Sequence, residues 1–115
     1  MKVLISQRAE DDLARIYAFL FARAAPDVAE RFRANAERAL AHLGRHPETG
    51  PHPVWATRHR ALRFWVISRT PYLIYYERHS DAVSIERVLD GRRDAHRIIE
   101  LGIEDAPKAE GDAEA

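Results

Sequence analysis

The chain has 115 residues, 46% of them hydrophobic, enough for one domain with a modest core. Eighteen Lys and Arg against eighteen Asp and Glu give a formal net charge of zero, which argues against a nucleic-acid coat protein or an acidic solvating chain, since both need a large field of one sign. The zero hides a division: residues 1–103 carry 17 basic and 13 acidic residues, whereas residues 104–115 carry 1 and 5.

Lys2 to Ile5 is short, branched and apolar, and it stops at Ser6, a good N-cap. Glu10, Asp11 and Asp12 follow where a helix dipole favours negative charge, so a strand feeds a helix whose early acids have a structural reading. Leu13, Ile16, Tyr17 and Leu20 recur at helical spacing, with Asp11 and Arg15 as an i,i+4 pair on the far side, and the helix is expected from about Gln7 to Arg23. Pro26 is welcome at a first helical position, and a second helix carries Val28, Phe32, Ala36, Ala39, Leu40 and Leu43 on one arc until Gly44 and Pro47 end it. The short link makes the two an antiparallel hairpin.

Residues 47–53 hold too many breakers to be anything but a loop. Then the pattern changes to aromatic and branched runs at Leu62 to Ile67, Tyr72 to Tyr76 and Val83 to Leu89, separated by turn residues. These read as three strands of an antiparallel meander. A helix-like segment from Arg92 to about Leu101 follows Gly91, and the acidic end from Glu104 reads as a disordered tail beyond a single domain of residues 1–103. The expected architecture is α+β: an N-terminal strand and a helical hairpin packed on one face of a mainly antiparallel sheet, with a short C-terminal helix and the other face open.

Cysteine is absent, which removes disulfides, thiolate nucleophiles and Cys-ligated zinc and suits a reducing cytoplasm. The apolar run at the N-terminus is too short for a signal peptide or a membrane span, so a cytoplasmic protein with no membrane partner is expected. The five glycines are scattered, leaving no phosphate loop. His42 and His46 stand at i,i+4, with His52 and His59 downstream, but no carboxylate joins them in a recognisable motif. They read as helix-end or solvated histidines, and no metal or cofactor is expected. No nucleophile-elbow sequence supports a Ser/His/Asp triad.

The stronger constellation lies in and after the strands. Arg58, Arg60, Arg63, Arg69, Arg87, Arg92, Arg93 and Arg97 interleave with Phe64, Trp65, Tyr72, Tyr75 and Tyr76. Arginine clamps carboxylates or phosphates bidentately and aromatic faces stack bases, so an acidic protein segment and RNA are both candidate partners. Singly, each side chain has an ordinary reading as core or solvated rim; together they point to a partner.

Tyr72-Leu73-Ile74-Tyr75-Tyr76, with Ile85-Glu86-Arg87-Val88-Leu89-Asp90-Gly91-Arg92-Arg93-Asp94, resembles the ParE branch of the RelE/ParE superfamily of type II toxin–antitoxin toxins. Ala9 to Leu13 with Ile16-Tyr17, Pro26 and Ala29, Leu43 with Pro47 and Gly50, and Leu62 to Val66 extend the resemblance over residues 1–99. It implies the same strand-helix-helix-meander order. RelE-like members are ribosome-dependent mRNA endonucleases, whereas ParE-like members are non-enzymatic inhibitors of DNA gyrase associated with plasmid stabilisation. Where the nucleases carry basic residues, an Arg and a Tyr, this chain has Phe64 and Val66, Leu73, and Ile99; of that set only Arg93 is retained. Arginine cannot transfer protons at neutral pH, although His96 nearby could.

The resemblance therefore implies a toxin that binds gyrase and is neutralised by a cognate antitoxin folding over the open sheet and hairpin. Arg63, Arg87, Arg92 and Arg93 are the expected polar anchors, with Trp65 and Tyr72 as aromatic contacts. Direct nucleic-acid binding is not part of this reading. The alternatives are a RelE-like ribonuclease using Arg93 and His96, and an inactive relative that only binds antitoxin. The acidic tail lies outside the resemblance, and whether it competes for the basic body's surface is left open by the sequence.

Overall fold

Ser6 joins the first two elements. A computed structural model of the chain describes residues 1–93 and 95–100. Strand β1 (Lys2–Ile5) ends at Ser6, whose Oγ accepts the Ala9 N–H at 3.0 Å to cap helix α1 (Gln7–Arg23). The same hydroxyl donates to the Glu86 carbonyl at 2.9 Å, so the helix start is fixed to a strand eighty residues on. Helix α2 (Pro26–Arg45) opens on its proline without a side-chain cap. It runs through Gly44 instead of stopping there. A Cβ at Gly44 would lie 3.0 Å from Val3 Cγ2 and 3.2 Å from the Met1 carbonyl, so this glycine lets the helix approach β1 and is not a terminator.

Strands β2 (Leu62–Val66), β3 (Tyr72–Arg78) and β4 (Ala82–Asp90) form the expected antiparallel meander. The sheet order is β1-β4-β3-β2, with β1 parallel to β4 in the register Ile5 to Ile85. A bulge interrupts the β3–β4 ladder: Tyr75 pairs with Arg87 and Tyr76 with Ile85, so Glu86 is the extra residue.

Ile74, Tyr76, Val83, Ile85 and Val88 pack beneath the hairpin against Phe32, Ala36 and Leu43. The opposite face was expected to stay open. It carries its own cluster instead: Leu62, Tyr75 and Leu89 are covered by Ala95 and Ile98, with Trp55 and Ala56 alongside. The C-terminal helix is correspondingly short, a wide turn at His96–Glu100, and its expected end at Leu101 lies outside the described residues, as does the acidic tail. Among the described residues no helix is long and apolar enough to cross a membrane.

The loop before β2 is held by buried polar groups. The Tyr76 hydroxyl accepts the Gly50 N–H at 3.0 Å and donates to the Pro47 carbonyl at 2.9 Å. A side chain at Gly50 would collide with that hydroxyl and with the Phe64 carbonyl.

Candidate functional site

The six expected contact residues do not form one site. Arg87 is 7% exposed and belongs to the interior. Its Nε donates to Asp12 Oδ2 at 2.8 Å and its Nη2 to Oδ1 at 3.0 Å, while the Val88 N–H donates to Oδ2 at 2.9 Å. β1 pairs only with residues 82–85 of β4, and beyond that point Asp12 supplies the acceptor that the strand edge needs. The acid cluster at the start of α1 is thus more than a dipole match. Arg15 also pairs with Asp12, at 2.6 Å, and not with Asp11, which accepts from Gln7 at 2.9 Å.

Tyr72 is likewise buried, edge-on to Phe32 with ring centroids 5.4 Å apart. Arg63 is half-buried and donates to the carbonyls of Gly50 at 2.7 Å and Glu48 at 3.2 Å, binding β2 to the preceding loop. Arg92 is exposed and grips Asp90, and its hydrogen bonds hold the Asp90 carboxyl below its ordinary range. Trp65 and Arg93 line two different grooves.

Three of the surface grooves bear on these residues and on the hairpin. The first crosses the helical hairpin, has a volume of ≈ 470 Å³ and is lined by Ile5, Leu13, Tyr17, Phe32, Ala36 and Leu40. On its rim Arg33 bridges Glu30 at 2.7 Å and Glu37 at 2.9 Å, and the Tyr17 hydroxyl donates to Glu30. That bond raises the Tyr17 pKa and lowers that of Glu30. Helical periodicity located these apolar residues but read them as core; that they leave a groove depends on how the two helices meet.

The second groove, of ≈ 660 Å³, lies between α2 and the end of β2, where Trp65 stacks on His42 at 4.8 Å between centroids. The third, of ≈ 540 Å³, is on the other sheet face, walled by Trp55, Phe64 and Tyr75, with His52, Arg93 and His96 at its edge. Here the ring of His96 is 5.6 Å from Trp55, and the two residues of the nuclease alternative, Arg93 and His96, do share one groove. Burial raises the Tyr75 phenol pKa. Among the described residues no group of three His, Asp or Glu side chains is placed to hold a metal.

The C-terminal turn makes a contact that sequence reading missed. The Glu100 carboxylate accepts the backbone N–H of Thr57 at 2.6 Å and that of Arg58, the Thr57 hydroxyl, and His59 Nδ1 at 3.0 Å. Burial, the largest influence, opposes its ionisation, but these donors outweigh it and hold its pKa well below the usual carboxylate range. Glu100 thereby clamps the irregular 51–61 loop to the C-terminal turn.

A family model described as "ParE toxin of type II toxin-antitoxin system, parDE" matches residues 3–95. No curated protein sequence matches the chain. A solved structure described as "Chromosomal ParDE TA system from P. aeruginosa" shares the fold with a TM-score of 0.65 at 17% identity, covering 76% of this chain and 92% of that one. With a strand, hairpin and meander in the order this family implies, and a family match spanning most of its length, the chain belongs to the ParE toxin family of type II toxin–antitoxin systems.

Proposed function

We propose that this chain is a cytoplasmic, non-enzymatic toxin that binds and inhibits DNA gyrase and is neutralised by a cognate antitoxin, in a module of the plasmid-stabilising kind. Family membership supplies the class. The observation favouring binding over chemistry is the set of side chains at positions where RelE-like nucleases hold catalytic groups. Phe64, Leu73 and Ile99 pack into the apolar cluster on the second sheet face, and Val66 is exposed. None of these can give or take a proton, and general acid–base catalysis needs a group that does so near the working pH.

The hairpin groove supports the antitoxin assignment. Its apolar floor and charged rim suit an amphipathic helix whose anchors recur at i, i+3 and i+4. An antitoxin segment that orders on arrival would bury Leu13, Tyr17 and Leu40.

Purified protein titrated into a gyrase supercoiling reaction should inhibit it and accumulate cleaved DNA, and added antitoxin should restore activity. Unchanged supercoiling at every excess of toxin would sink the gyrase assignment. Because Arg93 and His96 line one aromatic groove, the ribonuclease reading keeps a specific support. It predicts arrested translation and cut mRNA, both lost in His96→Ala. Antitoxin binding with neither effect would identify the inactive relative.

A further inference from the structure

The groove between α2 and β2 is built differently from the hairpin groove and the Trp55 groove. Arg31, Asn35, Arg38 and His42 form one stripe along α2, and Arg69 faces them across the groove from the β2–β3 turn. Its lining holds no carboxylate, although Arg31 pairs with the exposed Asp27 at 3.1 Å one turn back on α2, and Trp65 and Val66 add apolar surface. The Asn35 amide donates to the Ser68 carbonyl at 3.3 Å, so the two walls are tied together. Arg69 reaches its place with a φ of 63°, an uncommon conformation for a residue with a side chain.

The strand edge beside this groove is only partly covered. Phe64 donates its N–H outward to the Pro51 carbonyl at 3.0 Å, and Leu62 donates to the His59 carbonyl at 2.9 Å. Ile67 points the other way, donating to Tyr72 at 2.9 Å. Strand alternation therefore turns the Val66 N–H outward with that of Phe64, and among the described residues no backbone carbonyl accepts it. Val66 itself is 49% exposed, an apolar residue at a bare strand end flanked by arginines.

We propose that this groove docks an extended acidic segment of a partner protein, which adds alongside the end of β2 at Val66 and places its carboxylates on Arg31, Arg38 and Arg69. Charge complementarity selects the partner's chemistry. Arg31 and Arg38 are seven residues apart on a helix, about 10 Å along its axis, and carboxylates on one side of an extended chain recur about every 7 Å, so residues two and four apart bracket that spacing within reach of the long arginine side chains. Carboxylates on the side of the segment facing α2 thus meet the arginines beside Trp65, and the small apolar residues between them fall on the other side, with Val66. Main-chain bonding at the edge supplies affinity and the arginines supply selection. The inference concerns the segment's chemistry, whichever protein carries it, and is independent of the gyrase reading.

The test titrates full-length protein with a fluorescein-labelled synthetic peptide, Glu-Val-Glu-Leu-Glu-Val-Glu, and with its all-Gln counterpart. The acidic peptide should bind, weaken as salt rises, and lose at least tenfold in affinity against the R31Q/R38Q/R69Q variant, while R23Q/R45Q/R60Q binds as the parent does. Val66→Pro, which removes the outward N–H, should weaken binding severalfold. Arg69→Gly should weaken it without lowering the thermal midpoint, because glycine adopts a positive φ freely.

Equal loss in the two triple variants, or unchanged binding by Val66→Pro, would overturn the proposal. So would tighter binding of an oligothymidylate of equal charge, which would assign the groove to nucleic acid. Tenfold tighter peptide binding by full-length E104Q/D105N/E110Q/D112N/E114Q would assign it to the chain's own acidic end and overturn the partner reading as well.

Discussion

Replacing Asp12 with alanine removes, in one step, both bidentate hydrogen bonds of a buried arginine and the acceptor of the Val88 N–H. Asp12 is 1% exposed and Arg87 7%, so little water is at hand to replace what is lost. Breaking a buried pair from one side costs about 3–5 kcal/mol. A domain of this size loses about 4–8 °C of melting temperature per kcal/mol, which places Asp12→Ala roughly 12–40 °C below the parent. Arg87→Met should cost less, about 1–3 kcal/mol, because the carboxylate keeps Val88 N–H and Arg15 as donors. The double variant Asp12→Leu/Arg87→Met should be more stable than Asp12→Ala alone, since an apolar pair leaves no buried charge behind. Urea and thermal unfolding of the four proteins measure all three differences. An Asp12→Ala midpoint within about 1 kcal/mol of the parent, or a double variant no more stable than Asp12→Ala, would refute this account of the pair.

Three further outcomes are expected. Ser6→Ala removes the α1 cap and the bond to Glu86, and should cost about 1 kcal/mol in urea unfolding; no change in midpoint would contradict the capping role. Glu100 has a folded pKa below its ordinary 4.5, so its contribution is complete above that value and is lost as pH falls toward the depressed one. Trp55 fluorescence and amide exchange at Thr57 and Arg58 should therefore loosen on acidification below about pH 4.5, and Glu100→Gln should show the loosened signal already at neutral pH. Leu13→Ala and Tyr17→Ala, in the hairpin groove, should each weaken antitoxin affinity about tenfold or more with gyrase inhibition retained; unaltered affinity by calorimetry would move the antitoxin elsewhere.

Local signals carried much of the fold. The strand stop and Ser6 cap place α1 correctly, Pro26 places the start of α2, and alternation in residues 62–89 finds the meander. What escaped is whatever depends on a partner far along the chain. Asp12 looks like any acid in a first turn, and its true partners lie 75 and 76 residues away. Gly44 resembles a helix stop until β1 is seen against it. The 51–61 loop has no period from which to tell which sheet face it covers, so the face appeared open and Glu100 went unnoticed. For the candidate surfaces, residue type was legible but depth was not: Arg87 and Arg69 read alike in sequence, yet one is interior and the other faces a groove.

The first strand and first helix are both completed by the last strand. β1 pairs with residues 82–85, Ser6 bonds Glu86, and Asp12 waits for Arg87 and Val88. At a synthesis rate of about 5–20 residues per second, the ribosome needs roughly 4–15 s to travel from the one set of residues to the other. During that interval the residues of the hairpin have no sheet to seat them. The fold of this toxin-family domain therefore closes only after nearly the whole chain has been made, although its hairpin is complete in sequence at Arg45.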